Sequence, residues 1–134
     1  MLAWQEASWN ALCAELLSVS PDEEPLQAVR RTFLAYVSRF EVEEIRAIDA
    51  VMRASRTLQA RKQVAYAGQE ESLFETLCQV WRQPERRCRL RVVAMLSIGA
   101  LKLAIQAYGE QPERTAASHL EEVFSELNRV LTAK

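Results

Sequence analysis

Apolar residues recur at intervals of three and four along most of this chain, which is the spacing of one face of an α-helix. The pattern is interrupted near Pro21, Pro25, Pro84 and Pro112, where a helix ends or begins. No segment alternates apolar and polar residues as a half-buried strand does. The sequence therefore predicts an all-α fold, a bundle of about six antiparallel helices in one domain over residues 1–134. The predicted helices cover residues 2–18, 25–39, 41–54, 55–83, 85–108 and 113–132.

The helix predicted at 85–108 is apolar around most of its circumference, so it needs burial on two sides. One edge consists of Leu90, Ala94, Ile98, Leu101, Ile105 and Tyr108, and the opposite edge of Val92, Leu96, Gly99, Ala100 and Leu103. One edge is expected to close the chain's own core and the other to meet a second copy of the chain. The pattern alone does not decide between them. The small residues Gly99 and Ala100 permit close helix approach and favour the second edge as the dimer surface.

Composition and charge narrow the class of protein. The chain has 134 residues, 49% of them hydrophobic, with only three Gly and four Pro, so it can build one folded domain with a core. With 17 basic and 18 acidic residues it lacks the concentrated positive charge that nucleic-acid binding requires. Cys13, Cys78 and Cys88 form no C-x-x-C motif and indicate reduced thiols in a cytoplasmic protein. Neither a signal peptide nor a membrane span is expected, since Arg91 and Lys102 flank the longest apolar run.

Catalytic and metal-binding motifs are not found in the sequence. His119 is the only histidine, and its place on the polar margin of the last helix predicts a surface position. The chain cannot supply two Glu-x-x-His pairs, paired Cys/His ligands, a G-x-S-x-G elbow or a glycine-rich phosphate loop. We therefore expect no enzymatic activity, no metal and no cofactor.

Two charged clusters leave alternatives open. The acidic group Glu70, Glu71 and Glu75 is either a pair of carboxylates with shifted pKa values or, more commonly, a solvated helix face. The basic run Arg86-Arg87-Arg89-Arg91 either contacts an anion or an acidic partner, or is a solvated turn that pairs with neighbouring carboxylates. It has no interleaved aromatic residues on which nucleic-acid bases could stack.

The order and lengths of the helices resemble the C-terminal regulatory domain of TetR-family transcriptional regulators, closest to the mycofactocin-regulator-like subgroup. The resemblance covers most of the chain. Its carriers are the segments AWQEASWNAL, LQAVRRTFLAYV, LQARKQVAYAGQEESLFETL, RLRVVAMLSIGALKLAIQAYGEQP and SHLEEVFSELNRVL. A helix that ends in an aromatic residue, here Tyr108, followed by a short polar loop and a final helix, is a recurrent ending in the family.

The resemblance implies a ligand-binding and dimerisation domain of a transcriptional repressor. Such regulators begin with a three-helix DNA-binding module containing a helix-turn-helix, which nothing in these residues matches. The chain is therefore interpreted as a fragment rather than as a natural protein without a DNA reader. DNA contact is expected only through that N-terminal module, and helix 2–18 would connect the two halves.

By the same resemblance, a small, mostly apolar effector binds between the first four helices, and the chain forms a homodimer through helices 85–108 and 113–132. The candidate pocket walls, each of which equally fits plain core, are Trp9, Phe33, Tyr36, Met52, Tyr66, Phe74 and Leu77. The predicted dimer interface consists of Val92, Leu96, Gly99, Ala100, Leu103, Leu120, Phe124 and Leu127. The rival interpretation is a standalone helical adaptor that binds a protein partner. A cavity among the named aromatics favours the effector domain, and an apolar groove over a solid core favours the adaptor.

Overall fold

The computed structural model describes residues 3–133, and of residues 3–5 and 49 only the backbone. Leu2, the predicted start of the first helix, lies outside this range. The helices are α1 (Ala3–Leu17), α2 (Pro25–Val37), α3 (Val42–Arg53), α4 (Arg56–Val80), α5 (Arg87–Glu110) and α6 (Ala116–Thr132). A 3-10 turn at Pro84–Arg86 precedes α5. Residues 3–133 contain these six helices and no strand, which confirms the all-α prediction.

Side-chain caps and prolines set several helix ends. Ser55 caps α4 by accepting a hydrogen bond from the backbone N–H of Leu58 at 3.3 Å. Thr115 caps α6 in the same way through the N–H of Ser118 at 3.0 Å, so the last helix begins later than the predicted position 113. Pro25 is the first residue of α2, where its missing N–H costs nothing.

Helix α5 is the centre of the bundle and packs on α2, α3, α4 and α6. Its predicted core edge is buried at Leu90, Ala94, Ile98 and Leu101. By length and composition alone, Pro84–Glu110 is apolar enough to cross a membrane, but the core helix of a soluble protein meets the same criterion. Its packing against four neighbouring helices accounts for the apolar residues on its buried faces.

Two buried polar contacts hold the ends of the bundle. The indole N–H of Trp81, a residue only 1% exposed, donates to the carbonyl of Pro21 at 2.9 Å and joins the end of α4 to the α1–α2 loop. His119 was expected at the surface, and that prediction is wrong because its side chain is 2% exposed. The loop before α6 folds back over it, so that the ring Nε2 lies 2.9 Å from the carbonyl oxygen of Gln111.

Candidate ligand-binding cavity

A cavity of about 200 Å³, partly open to solvent, lies between α2, α3, α4 and α5. Its wall is mostly apolar, with a few polar side chains. The lining residues are Tyr36, Phe40, Ile45, Ile48, Met52, Leu58, Arg61, Lys62, Ala65, Tyr66, Gln69, Leu101 and Ile105. This composition is typical of a small-molecule site, in which a few polar groups orient an apolar ligand.

Helix α3 forms the roof of the cavity. Its apolar residues Ile45, Ile48 and Met52 recur at helical spacing and face α4 and α5, yet none of its described side chains is fully buried. The guanidinium Nε of Arg46 donates to the carbonyl of Gly109 at 3.2 Å and ties α3 to the end of α5. Helix α3 therefore covers the cavity, but its side chains do not fill it.

Two buried polar side chains meet in the cavity wall. Tyr36 from α2 is 6% exposed and Gln69 from α4 is 7% exposed. The pKa of Tyr36 is raised to about 12, mainly by burial and also by the nearby Tyr66, while a side-chain hydrogen bond with Gln69 opposes the shift. Tyr36 therefore keeps its phenolic proton at neutral pH.

Basic residues surround the open side of the cavity. Arg61 is exposed and Lys62 is half-buried. A wider surface groove of about 570 Å³ shares Lys62 and Tyr66 with the cavity, and it also contains Lys102, whose ammonium lies 4.9 Å from the centre of the Tyr66 ring. This partly exposed side of the cavity, called here the basic mouth, thus contains cationic side chains, whereas most of the wall is apolar.

The seven predicted wall residues fall into two groups. Tyr36, Met52 and Tyr66 line the cavity. The other four, Trp9, Phe33, Phe74 and Leu77, are buried in the packed core and do not line it.

Trp9 and Phe74 make specific contacts within the packed core. The Trp9 ring on α1 makes edge contacts with Phe33 and Tyr36, at centroid distances of 5.9 and 5.7 Å, and its N–H donates to Ser72 Oγ at 3.3 Å. Phe74 lies beyond the cavity along α4, five residues after Gln69, and the guanidinium of Arg91 is 3.8 Å from its ring centre.

Sequence reasoning missed ten lining residues, listed here: Phe40, Ile45, Ile48, Leu58, Arg61, Lys62, Ala65, Gln69, Leu101 and Ile105. One signal was available for Gln69. It lies three residues after Tyr66 and four before Leu73, so it shares their inward face of α4. A glutamine on an apolar helix face is a candidate buried polar group.

The predicted interface residues also divide. Val92 and Leu103 are exposed, and Leu96, Gly99 and Leu127 are half-buried. The remaining three, Ala100, Leu120 and Phe124, are at most 4% exposed, so their assignment to a surface is corrected: they close the chain's own core. The first half of α6 packs on α2 and α5, and only its last turns emerge.

Further exposed apolar side chains extend the free surface, namely Met95, Val130 and Leu131. We call this surface the outer stripe, which consists of Val92, Met95, Leu96, Gly99 and Leu103 on α5 and Leu127, Val130 and Leu131 on α6. Nothing in the described chain lies within 4 Å of a Cβ placed on Gly99, so the centre of the stripe is open to close approach.

The two charged clusters contact each other. The guanidinium of Arg91 lies 2.7 Å from a carboxylate oxygen of Glu71, and this hydrogen bond holds the pKa of Glu71 below its usual value. Arg87 and Arg91 both lie over the ring of Phe74. Among the side chains that the structure describes, no three of His, Cys, Asp or Glu are grouped to hold a metal ion. The pair is a solvated surface contact between α4 and α5.

A family model described as the MftR C-terminal domain matches residues 23–132. The match includes α2 to α6 and therefore every residue that lines the cavity and every residue of the outer stripe. No curated protein matches the chain.

Proposed function

This chain belongs to the MftR C-terminal domain family of TetR-type transcriptional regulators, and from that premise we propose that it binds a small, mostly apolar effector in the cavity under α3. The family membership supports a regulatory role rather than a catalytic one, and a soluble regulator in the cytoplasm. The observation that carries the proposal is the cavity itself, which four helices leave open beside a packed core.

The size of the cavity limits the effector. An apolar protein cavity of about 150 Å³ binds benzene, so about 200 Å³ takes one substituted ring or a chain of similar bulk. Drug-sized ligands occupy about 300 Å³ or more. A larger effector would insert only one end and leave the rest at the basic mouth.

A ring contact connects the cavity to α1. Tyr36 lines the cavity, and its ring packs against the Trp9 ring on α1. An effector that displaces Tyr36 would shift α1, the proposed connecting helix to an N-terminal DNA-binding module. Regulation then requires that effector and operator favour different positions of α1.

The outer stripe supports the proposed homodimer. Its residues are apolar or glycine, lie on α5 and α6, and are exposed or half-buried in the single chain. Exposed apolar patches of this kind mark association surfaces. The same stripe is the observation that favours the adaptor function, in which a different protein covers it, and a monomeric chain in solution would support that alternative.

A cavity-filling variant tests the effector site. Ala65 lines the cavity, whereas Ala67, two residues away on α4, is exposed and outside it. We expect compounds from a panel of small apolar molecules to raise the melting temperature of the wild-type chain. At a ligand concentration a hundredfold above Kd, the free energy of unfolding should increase by about 2.7 kcal/mol. Ala65→Trp should abolish these shifts, because the indole occupies the space.

The matched control is Ala67→Trp, which adds the same side chain outside the cavity and should keep the shifts. Equal shifts in wild type and Ala65→Trp would show that the compounds bind elsewhere. Complete failure of the panel on the wild-type chain would contradict an effector cavity.

A further inference from the structure

We propose that the effector is a small organic acid, whose apolar body fills the cavity and whose anionic head group binds at the basic mouth. The inference deepens the proposed function and rests on it, because it takes the cavity to be the effector site. It is carried by the charged side chains around the open side of the cavity and by the surface groove that adjoins it.

The cavity and the surface groove meet between α3, α4 and α5. They share four lining residues, Met52, Lys62, Tyr66 and Ile105. A ligand that fills the cavity and reaches its open side therefore meets the groove. The ammonium-bearing side chain among the shared residues, Lys62, is half-buried at this junction.

The charged side chains that line the two spaces are all basic among the residues that the structure describes. They are Arg53, Arg56, Arg61, Lys62 and Lys102. The chain as a whole has 17 basic and 18 acidic residues, so this surface is enriched in one sign of charge. A cleft lined by one sign of charge attracts ligands of the opposite sign.

The described acidic side chains lie outside these linings. Glu110 accepts a hydrogen bond from the groove residue Gln106 at 3.4 Å but does not line the groove itself. On α3, Glu43 and Glu44 are exposed and line neither space, and Asp49 is described only by its backbone. Among the described side chains, the mouth and the groove are therefore positive.

Two half-buried lysines are placed to bind the head group. The ammonium of Lys102 lies 4.9 Å from the centre of the Tyr66 ring and 3.5 Å from the side-chain oxygen of Gln63, and both of these partners are neutral. Lys62 has a partner of its own, to which an anion would be added. A half-buried ammonium is less screened by water than the exposed arginines are, so it attracts a nearby anion more strongly.

The apolar wall sets the orientation of such a ligand. Ile45, Ile48 and Leu101 line the cavity and offer no group that could compensate a charge. A carboxylate placed among them would lose its water without a replacement. The ring or chain of the acid therefore occupies the cavity, and the carboxylate stays at the basic mouth.

Three probes with the same apolar body test the proposal by calorimetric titration. They are 3-phenylpropanoate, 3-phenylpropan-1-ol and 3-phenylpropylamine, whose head groups are anionic, neutral and cationic. We expect wild type to bind the acid about tenfold more tightly than the alcohol, which is the size of one charge-assisted hydrogen bond. The amine should bind more weakly than the alcohol, and the preference for the acid should shrink at high salt.

Methionine in place of lysine keeps an apolar stem and removes the charge. Lys62→Met and Lys102→Met should each lower the preference for the acid about threefold, and the double variant should bring the acid-to-alcohol ratio to about one. Arg82→Met is the matched control. It removes a positive charge two residues after the end of α4, outside cavity and groove, and should leave the ratio unchanged.

Ala65→Trp separates binding in the cavity from binding to surface charge alone. The indole takes the space of the phenyl ring, so the variant should lose the acid as well as the alcohol. If it binds the acid as tightly as wild type does, the groove surface alone holds the acid and the proposal is wrong.

Failure of acid selection is distinguishable from failure of the effector site. Equal binding of acid and alcohol by wild type, or tighter binding of the amine, would overturn acid selection and leave the effector cavity standing. An unchanged ratio in the double lysine variant would do the same. If none of the three probes binds, acid selection is wrong, and the effector cavity stands or falls with the wider apolar panel and Ala65→Trp.

Discussion

Tyr36 is the residue at which the core, the cavity and α1 meet. Its ring makes edge contacts with Trp9 on α1 and with Phe40 at the end of α2, at centroid distances of 5.7 and 5.0 Å. Its hydroxyl meets Gln69 in the cavity wall. A change at this one side chain therefore reaches three parts of the molecule.

The ionisation of Tyr36 gives a prediction at this scale. Its pKa is raised from 10 to about 12, so the folded chain holds the proton more tightly than the unfolded chain does. The contribution to the free energy of unfolding is complete below about pH 10 and is lost as pH rises through about 12. A shift of two units corresponds to about 3 kcal/mol.

Tyrosinate absorbance measures this directly. One of the three tyrosines should ionise about two units above an ordinary tyrosine, and that late step should be missing in Tyr36→Phe. Between about pH 10 and pH 12, the free energy of unfolding should fall more in wild type than in Tyr36→Phe. Ionisation of all three near pH 10 would contradict the prediction.

Among the elements, α5 has two opposed faces. Leu101 and Ile105 line the cavity, and Met95 and Leu103 lie on the outer stripe. The chain's own helices cover the cavity-lining face and leave Met95 and Leu103 on the outer stripe exposed. The helix that lines the proposed effector site is thus also the helix proposed to meet a second copy.

Charge placed on the outer stripe should separate the dimer. Met95 and Leu103 are 51% and 58% exposed, so Met95→Glu with Leu103→Glu costs the monomer little and should give soluble monomers by light scattering. Val64→Glu is the control, because Val64 on α4 is 71% exposed and outside the stripe. A dimer that persists in the double variant, or is lost in Val64→Glu as well, would contradict this interface.

The elements were largely predictable and the site was not. Helical spacing and prolines placed every described helix end within three residues of its observed position, because those signals are local. A cavity instead arises where the summed side-chain volumes of four helices do not fill the space between them. Trp9 on α1 and Ile45 on α3 give the same apolar signal, yet one is packed core and the other lines the void.

The same limit applies to the interface. Leu120 and Leu127 belong to one apolar stripe of α6, and sequence spacing treats them alike. Tertiary packing on α2 and α5 buries the first completely and leaves the second half-exposed. His119 illustrates the converse case, since a loop eight residues earlier supplies the carbonyl that allows a polar side chain to be buried.

For the whole molecule, buried contacts are unevenly distributed. Helices α1, α2, α4, α5 and α6 all contribute fully buried side chains, whereas no described side chain of α3 is fully buried. Helix α3 packs mainly against α4 and α5. Regions with few buried apolar contacts open at low free energy, so α3 is the expected entrance to the cavity.

Hydrogen exchange tests this distribution. Backbone amides of α3 should exchange faster than those of α5, and a bound cavity ligand should slow α3 more than any other helix. The Leu73–Leu77 stretch of α4, buried and outside the cavity, serves as the internal reference for global opening. Exchange in α3 as slow as in α5 would contradict the entrance.

The two-faced α5 also bears on how a dimer would respond to rising effector concentration. Each copy would contribute one cavity, and the two cavities would be joined through a pair of α5 helices, each with Ile105 on one face and Leu103 on the other. If α5 shifts when the first cavity is filled, the contact between the two α5 helices changes, and with it the packing around the second cavity. Binding in the proposed dimer is then cooperative, and the response of the regulator would depart from a simple single-site saturation curve.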